Sequence, residues 1–146
     1  MIRLTLIGIY YMNNKPSIKS FHDLEVYQNS YQGCIIVMKK IISKLPKAEK
    51  YDLQDQLSRS SKAIPRLIAE GYAKRHQRLG FQKYLDDAMA ETNETMVGLT
   101  QVRDIYSHLV DTKLCDEMID LYDKTGRQLY RLREAWSKFK DKKHNR

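Results

Sequence analysis

The chain has 146 residues, of which 42% are apolar and 30% charged, and its formal net charge is +8. A chain of this length is typical of one domain and buries roughly 70% of its unfolded surface, so its core needs no disulfide or metal. The two cysteines, Cys34 and Cys115, exclude a disulfide framework, and we expect buried thiols in a reducing cytoplasm.

Residues 1–20 are predicted to be an extension outside the folded domain. Residues 1–11 are apolar apart from Arg3, too short to cross a bilayer, and followed by no clear signal-peptide cleavage site. We therefore expect no membrane segment here. We interpret residues 1–11 as a translated upstream extension and Met12 as the true start. A short element that packs on an oligomer surface is the alternative.

Residues 23–45 and 46–72 are predicted to form two helices. Apolar or small residues recur at alternating steps of three and four, the pattern of a bundle core. In the first helix they are Leu24, Tyr27, Tyr31, Cys34, Met38, Ile41 and Leu45, and in the second Leu53, Leu57, Ser60, Ile64, Leu67 and Gly71. Pro46 suits the first position of the second helix, Pro65 predicts a kink within it, and Gly71 predicts a left-handed cap at its end.

Residues 79–109 and 114–140 are predicted to form two more helices, and residues 141–146 a disordered basic tail. The same steps give Phe81, Leu85, Ala88, Thr92, Thr95, Leu99, Val102, Tyr106 and Leu109, then Met118, Tyr122, Thr125, Leu129, Leu132, Trp136 and Phe139. Because the connections are short, the sequence predicts an all-α, up-down-up-down antiparallel four-helix bundle over residues 21–140. An extended coiled coil is the alternative.

The second helix also carries a resemblance to a known family. The motifs are Ile64-Pro65 followed by Ile68-Ala69-Glu70-Gly71, with Phe21-His-Asp-Leu-Glu-Val and Leu45-Pro46-Lys-Ala-Glu before them. These motifs resemble the ribosomal-RNA intervening-sequence proteins, also called four helix bundle proteins. That family is related to the accessory variability determinant of diversity-generating retroelements. The resemblance covers residues 21 to about 122. This chain has Ala63, Leu67 and Ala90-Glu91 where the family usually has Ser, Asn and Gly-Ser.

The resemblance implies a bundle that assembles into a ring, commonly a homopentamer, without enzymatic activity. For the retroelement relatives it implies an accessory protein that binds nucleic acid and a reverse transcriptase.

The sequence has no arrangement of residues typical of an active site. None of the four histidines follows a glutamate by three residues, as in di-iron bundles. There is no His-Glu-x-x-His motif, phosphate-binding glycine loop or nucleophile elbow. We predict a non-enzymatic protein with no metal and no cofactor.

Three carboxylates are predicted to have structural roles instead. Glu91 and Glu94 share a face of the third helix, and a metal site there is the less favoured interpretation because no histidine accompanies them. Glu70, Glu91 and Glu94 are expected to form half-buried salt bridges with Arg59, Arg66 or Arg103 that fix helix register. A hydrogen bond to the backbone is the alternative for Glu70. The predicted structural residues are Pro65, Glu70, Gly71 and Glu94.

Basic residues are concentrated in two segments. Residues 59–78 carry six cations against Glu70, a net charge of +5, and residues 127–146 carry eight against Glu134 and Asp141, a net charge of +6. We predict that the nucleic-acid backbone binds the six cations of the first segment, which are Arg59, Lys62, Arg66, Lys74, Arg75 and Arg78. The alternatives are a solvated face with a solubilising tail, or a structural oligomer that scaffolds a protein partner.

The ten tyrosines fall into two predicted groups. The core group is Tyr27, Tyr31, Tyr106 and Tyr122, and the group at the edges of the apolar stripes is Tyr10, Tyr11, Tyr51, Tyr72, Tyr84 and Tyr130. For the second group a subunit interface is favoured over stacking on unpaired bases.

Overall fold

The computed structural model describes residues 17–144, so the predictions for residues 1–16 and 145–146 lie outside the described residues. Within this range the chain forms four α-helices and no β-strand, which confirms the all-α prediction. The helices are α1 (Glu25–Ile36), α2 (Leu53–Ala73), α3 (Gly80–Ile105) and α4 (Thr112–His144). Because α2 packs on α3, α3 on α4, and α1 on both α2 and α4, the four helices surround one core.

The predicted core positions are confirmed for α2 apart from the half-buried Leu67, for most of α3 and for the first half of α4. The fully or nearly fully buried members are Leu53, Leu57, Ser60, Ile64, Phe81, Leu85, Ala88, Thr92, Thr95, Leu99, Val102, Tyr122, Thr125 and Leu129. Small residues on α2 allow α3 to come close. Thr95 Oγ1 donates a buried hydrogen bond to Ser60 Oγ at 2.9 Å, which pairs two polar groups inside the α2–α3 contact.

The predicted core face of α1 is partly wrong. Tyr31 is 46% exposed, whereas Ser30 is completely buried and Gly33 is buried beside it. A Cβ atom at Gly33 would lie 2.9 Å from the hydroxyl oxygen of Tyr122, so a tyrosine of α4 fills the space that large side chains of α1 were expected to fill. The helix then widens into a π-helical turn, Val37–Ile41, which shifts the spacing of its last buried residues.

The second helix begins at Leu53 and not at Pro46. The backbone of Pro46 is extended (φ −66°, ψ 156°) and is followed by a short 3-10 turn, Lys47–Glu49. The Glu49 carboxylate accepts a hydrogen bond from the Leu53 N–H at 3.1 Å and so satisfies a donor at the first turn of α2. The predicted start was wrong because the cap comes from a side chain four residues earlier in the chain.

The ends of α3 and α4 also differ from the predictions. The helix α3 ends at Ile105, and Leu109 lies beyond it with 44% of its surface exposed. The helix α4 runs on to His144, so residues 141–144 are helical and were wrongly predicted to be disordered. No glycine or proline follows Gly126 to stop this helix, and its last turns carry lysines, which interact favourably with the helix dipole.

Gly71 was predicted to cap α2 in a left-handed conformation, and this is wrong, because the helix continues to Ala73. Among the described residues no glycine has a positive φ, and only Leu79 adopts the left-handed conformation, with φ 54°. Gly71 is instead a point of close approach, since a Cβ atom there would lie 2.6 Å from the Cβ of Tyr84. Pro65 is buried inside α2, and its missing N–H removes one bond from the helical ladder.

Candidate functional site

The two basic segments of the sequence meet at one place. The connection between α2 and α3 and the last turns of α4 border a cleft of about 900 Å³, hereafter the basic cleft. Its lining is Arg75, His76, Arg78, Leu79, Gln82, Trp136, Ser137, Phe139, Lys140, Asp141 and Lys143. Four cations therefore face one carboxylate, Asp141. Low-dielectric walls of one sign of charge concentrate the electric field and attract anions.

One wall of the basic cleft is aromatic. The half-buried Trp136 meets the buried Phe81 edge to face, with ring centroids 5.3 Å apart. Phe139 lies 5.6 Å from Trp136 by the same measure and is 55% exposed. Lys143 Nζ lies 5.8 Å from the Phe139 ring centroid, a cation–π distance. The packed ring of Trp136 and the exposed ring of Phe139 thus lie beside the cation of Lys143.

Two buried polar atoms on the lining of the basic cleft have no hydrogen-bond partner. They are Gln82 Oε1, an acceptor, and Trp136 Nε1, a donor. Gln82 is only 3% exposed. Within residues 17–144 one other buried side-chain atom lacks a partner, the hydroxyl of Tyr122, which lies in the core and not in this lining. An unpaired buried polar group costs about 1–3 kcal/mol, so a pair of them at one cleft is unusual.

The cations of the basic cleft differ in whether they already have partners within the protein. Arg75 donates to the Tyr72 carbonyl at 2.8 Å, and its guanidinium lies 4.1 Å above the Tyr72 ring. Lys140 donates to the Gln77 carbonyl. Arg78 and Lys143 form no ion pair with any residue that the structure describes. These two side chains are therefore the ones most able to bind an external anion.

The basic residues in the body of α2 lie apart from the basic cleft. Among the described residues, its lining includes none of Arg59, Lys62 and Arg66. Arg59 is 3.6 Å from the carboxylate of Asp55. It is also close to Glu91, where its charge partly offsets the rise in the pKa of Glu91 that burial and the charge of Glu94 cause. This neighbourhood of carboxylates weakens the positive potential that the sequence predicted for this face.

Lys74 and Glu70 form an ion pair with each other. Glu70 Oε1 accepts from Lys74 Nζ and from the Tyr84 hydroxyl, each at 3.0 Å, and these hydrogen bonds lower the pKa of Glu70. The same lysine also contacts the Tyr84 hydroxyl, which raises the pKa of Lys74. The predicted partners of Glu70 were wrong, since Lys74 four residues later and Tyr84 of α3 bind it instead. These contacts join the end of α2 to α3, and the predicted structural role of Glu70 stays a prediction.

The predicted salt bridges of Glu94 and Arg103 are also wrong. Glu94 is exposed and forms no ion pair within residues 17–144. Arg103 contacts Asp104 and Asp116, each at 2.8 Å, and its pKa is raised by both. Glu91 forms no salt bridge there either; burial, and then the charge of Glu94, raise its pKa. The described part of the chain has no group of three or more metal-ligating residues, and both cysteines are buried and free.

The sequence did not single out Gln82, Trp136, Phe139 or Lys143 as site residues. Trp136 and Phe139 were assigned to the core because they continue the apolar steps of the last helix. The missed signal is that the third helix begins near residue 80, so the last turns of α4 can pack only against the first turn of α3 and the connection before it. Combined with the +6 charge of residues 127–146, that geometry predicts exposed aromatic rings among cations.

Comparison with known proteins gives a family. A family model described as "23S rRNA-intervening sequence protein" matches residues 22–131 of the 146. A search of curated proteins found no match. In the part of the chain that the structure describes, no helix is both long and apolar enough to span a bilayer.

Proposed function

Since the chain belongs to the 23S rRNA-intervening sequence protein family, we propose that it is a non-enzymatic, basic, oligomeric four-helix bundle that binds the backbone of nucleic acid. The observation that carries this proposal is the basic cleft. Arg75 and Arg78 come from one basic segment of the sequence, Lys143 comes from the other, and all three line one concave surface.

The chemistry of the cleft suits phosphate. Arginine presents a planar fork of donors to phosphate oxygens, and lysine contributes a compact charge. Each phosphate that is neutralised releases counterions, so binding of this kind weakens steeply as salt rises. Phosphate contacts carry no base information, and we therefore expect little sequence preference from these three side chains alone.

The basic residues of α2 have a secondary part in this proposal. Lys62 and Arg66 extend the positive surface beyond the basic cleft, and Arg59 contributes less because it faces Asp55 and Glu91. Lys74 already contacts Glu70 and Tyr84 and is therefore less available to a ligand.

Two double charge reversals test where the nucleic acid binds. We expect Arg78→Glu with Lys143→Glu to weaken binding of a fluorescent 20-nucleotide RNA by about tenfold or more at low salt. The matched control, Lys62→Glu with Arg66→Glu, changes the net charge equally and should weaken binding several-fold less. Fluorescence anisotropy measures both.

Each outcome of that comparison is informative. A larger loss for the α2 pair would place the site on α2 and not in the basic cleft. No RNA binding by the unaltered protein at low salt would contradict the proposal as a whole. In that case the alternative function, a scaffold that binds a protein partner without salt dependence, would be favoured. The purified protein should then lack absorbance from nucleic acid.

The proposal includes an up-down-up-down antiparallel order of the helices in a homopentameric ring. Supporting the order, Leu57 early in α2 approaches Gly98 late in α3, whereas Gly71 late in α2 approaches Tyr84 early in α3. Exposed apolar side chains on α3 and α4 support assembly; they are Val97, Ile105 and Tyr130, each 57% exposed. Several clefts on one ring would raise the affinity for a long strand through avidity. Sedimentation velocity measures the number of subunits, and a stable monomer would contradict the ring.

The resemblance extends the proposal to a partner. An accessory role beside a retroelement reverse transcriptase, in the cytoplasm, follows from the related proteins and stays a prediction. Co-purification with a reverse transcriptase encoded beside the gene would support it.

A further inference from the structure

We infer that the basic cleft holds one unpaired nucleobase of a single-stranded nucleic acid, stacked on Phe139, with the adjoining phosphates on Arg78 and Lys143. This inference rests on the proposed function and deepens it, because it specifies the strand state of the ligand and adds a base contact to the backbone contacts.

The aromatic wall provides the stacking surface. Phe139 is 55% exposed, although apolar rings are usually buried, and the centroid of the Trp136 ring lies 5.6 Å from that of Phe139, with the two rings tilted by 38°. A base that stacks on Phe139 also comes close to Lys143, whose amino group lies near the same ring. Exposed rings that alternate with cations are the usual surface for single strands, because every base offers a flat face to the ring and a phosphate to the cation.

The unpaired polar atoms provide a contact for the edge of the base. Gln82 Oε1 lacks a donor and Trp136 Nε1 lacks an acceptor, and both residues line the same cleft. The Watson–Crick edge of every nucleobase, uracil included, offers a donor beside an acceptor, and these are the two kinds of group that this pair lacks. The terminal torsion of a glutamine side chain is broad, so the carboxamide turns toward a ligand with little strain.

The shape of the site selects single strands over duplexes. In a duplex the Watson–Crick edges are paired and the faces are stacked, so neither reaches an aromatic wall inside a cleft. The cleft volume of about 900 Å³ lies within the range of small-molecule sites and is sufficient for one base with its sugar.

The single tryptophan of the chain makes the inference directly measurable. Because Trp136 is the only tryptophan, all tryptophan fluorescence reports on the basic cleft. Titration with a 12-nucleotide single-stranded RNA should quench this fluorescence in a saturable way. An RNA duplex of the same length, at equal phosphate concentration and salt, should bind through its backbone with little quenching. Adenosine monophosphate, as a separate arm, tests whether a free nucleotide suffices.

Three variants separate stacking, edge contact and structure. Phe139→Ala should weaken single-strand binding about tenfold and leave duplex binding unchanged. The matched control is Tyr51→Ala. Tyr51 is 85% exposed and has Lys50 Nζ at 5.2 Å from its ring, but it precedes α2 while the cleft follows the end of that helix. The control should leave both affinities unchanged.

Gln82→Leu distinguishes a ligand contact from a structural one. The variant keeps most of the volume and removes the unpaired carboxamide oxygen, so the melting temperature should stay equal or rise. Single-strand affinity should nevertheless fall several-fold. A lower melting temperature with unchanged affinity would assign Gln82 to the core and overturn its contact with the base.

The failures of the two proposals are distinguishable. Equal quenching and equal affinity for single strand and duplex would overturn the base site, while the backbone proposal would stand if the Arg78→Glu and Lys143→Glu pair still weakens both. Absence of binding to either RNA would overturn both proposals.

Discussion

Two glycines, Gly71 in α2 and Gly126 in α4, differ in the space around them, and this gives opposite predictions for the same substitution. Gly71→Ala places a Cβ 2.6 Å from the Cβ of Tyr84, so α2 and α3 must separate, at a cost of about 1–3 kcal/mol in unfolding free energy. Gly126→Ala places its Cβ 3.7 Å from Thr92, an ordinary contact. Because alanine favours helix, this variant should gain about 0.5–1 kcal/mol. Urea unfolding measures both, and a destabilised Gly126→Ala would contradict the packing described for α3 and α4.

Glu91 gives a pH-dependent prediction. Burial first, and then the charges around it, raise the pKa of this carboxyl above its ordinary value of 4.5. Its ionised form is therefore less stable in the folded than in the unfolded chain. That penalty is fully present above the folded pKa and disappears as pH falls below 4.5.

Replacing the carboxyl with an amide should remove this penalty. Glu91→Gln is expected to raise the melting temperature at pH 7, and the gain should shrink as the pH is lowered to 4. Glu117→Gln, at an exposed position of α4, serves as the control and should change the melting temperature little at either pH. A gain for Glu91→Gln that persists unchanged at pH 4 would rule out ionisation as its cause.

At the scale of elements, the start of α2 depends on one side chain from the preceding turn. Glu49 accepts hydrogen bonds from the Leu53 N–H and from the Tyr106 hydroxyl, so it both caps α2 and holds the segment after α3. Glu49→Ala should lower the unfolding free energy by about 1–2 kcal/mol. Tyr106→Phe removes only the second bond and should cost less, about 0.5–1.5 kcal/mol. Equal losses in urea unfolding would show that the capping bond contributes nothing.

Comparison of α3 with α1 shows where the periodicity of apolar residues is sufficient to predict which residues are buried. In α3 the steps of three and four from Phe81 to Val102 were all predicted and all are buried, because this helix packs on two neighbours along its length. In α1 the same reasoning placed Tyr31 in the core. Spacing alone does not reveal that Tyr122 of another helix occupies the space beside Gly33, nor that a π-helical turn changes the step.

At the scale of the whole molecule, the two basic segments could be predicted from the sequence, but their meeting at one cleft could not. The sequence shows two basic segments about fifty residues apart. It does not show that Arg78 and Lys143 border one cleft, because that depends on α4 continuing to His144. The same extension exposes Phe139, which core patterning had assigned to the interior. The site is therefore a consequence of unequal helix lengths, which boundary prediction resolves poorly.

The salt dependence of binding tests the central claim most directly. If Arg75, Arg78 and Lys143 each neutralise a phosphate of single-stranded RNA, the logarithm of the association constant should fall with the logarithm of salt concentration with a slope of about −2 or steeper. The Arg78→Glu and Lys143→Glu pair should flatten this slope by roughly 1.4. A slope near zero, or a slope that the pair leaves unchanged, would contradict the basic cleft as the nucleic-acid site.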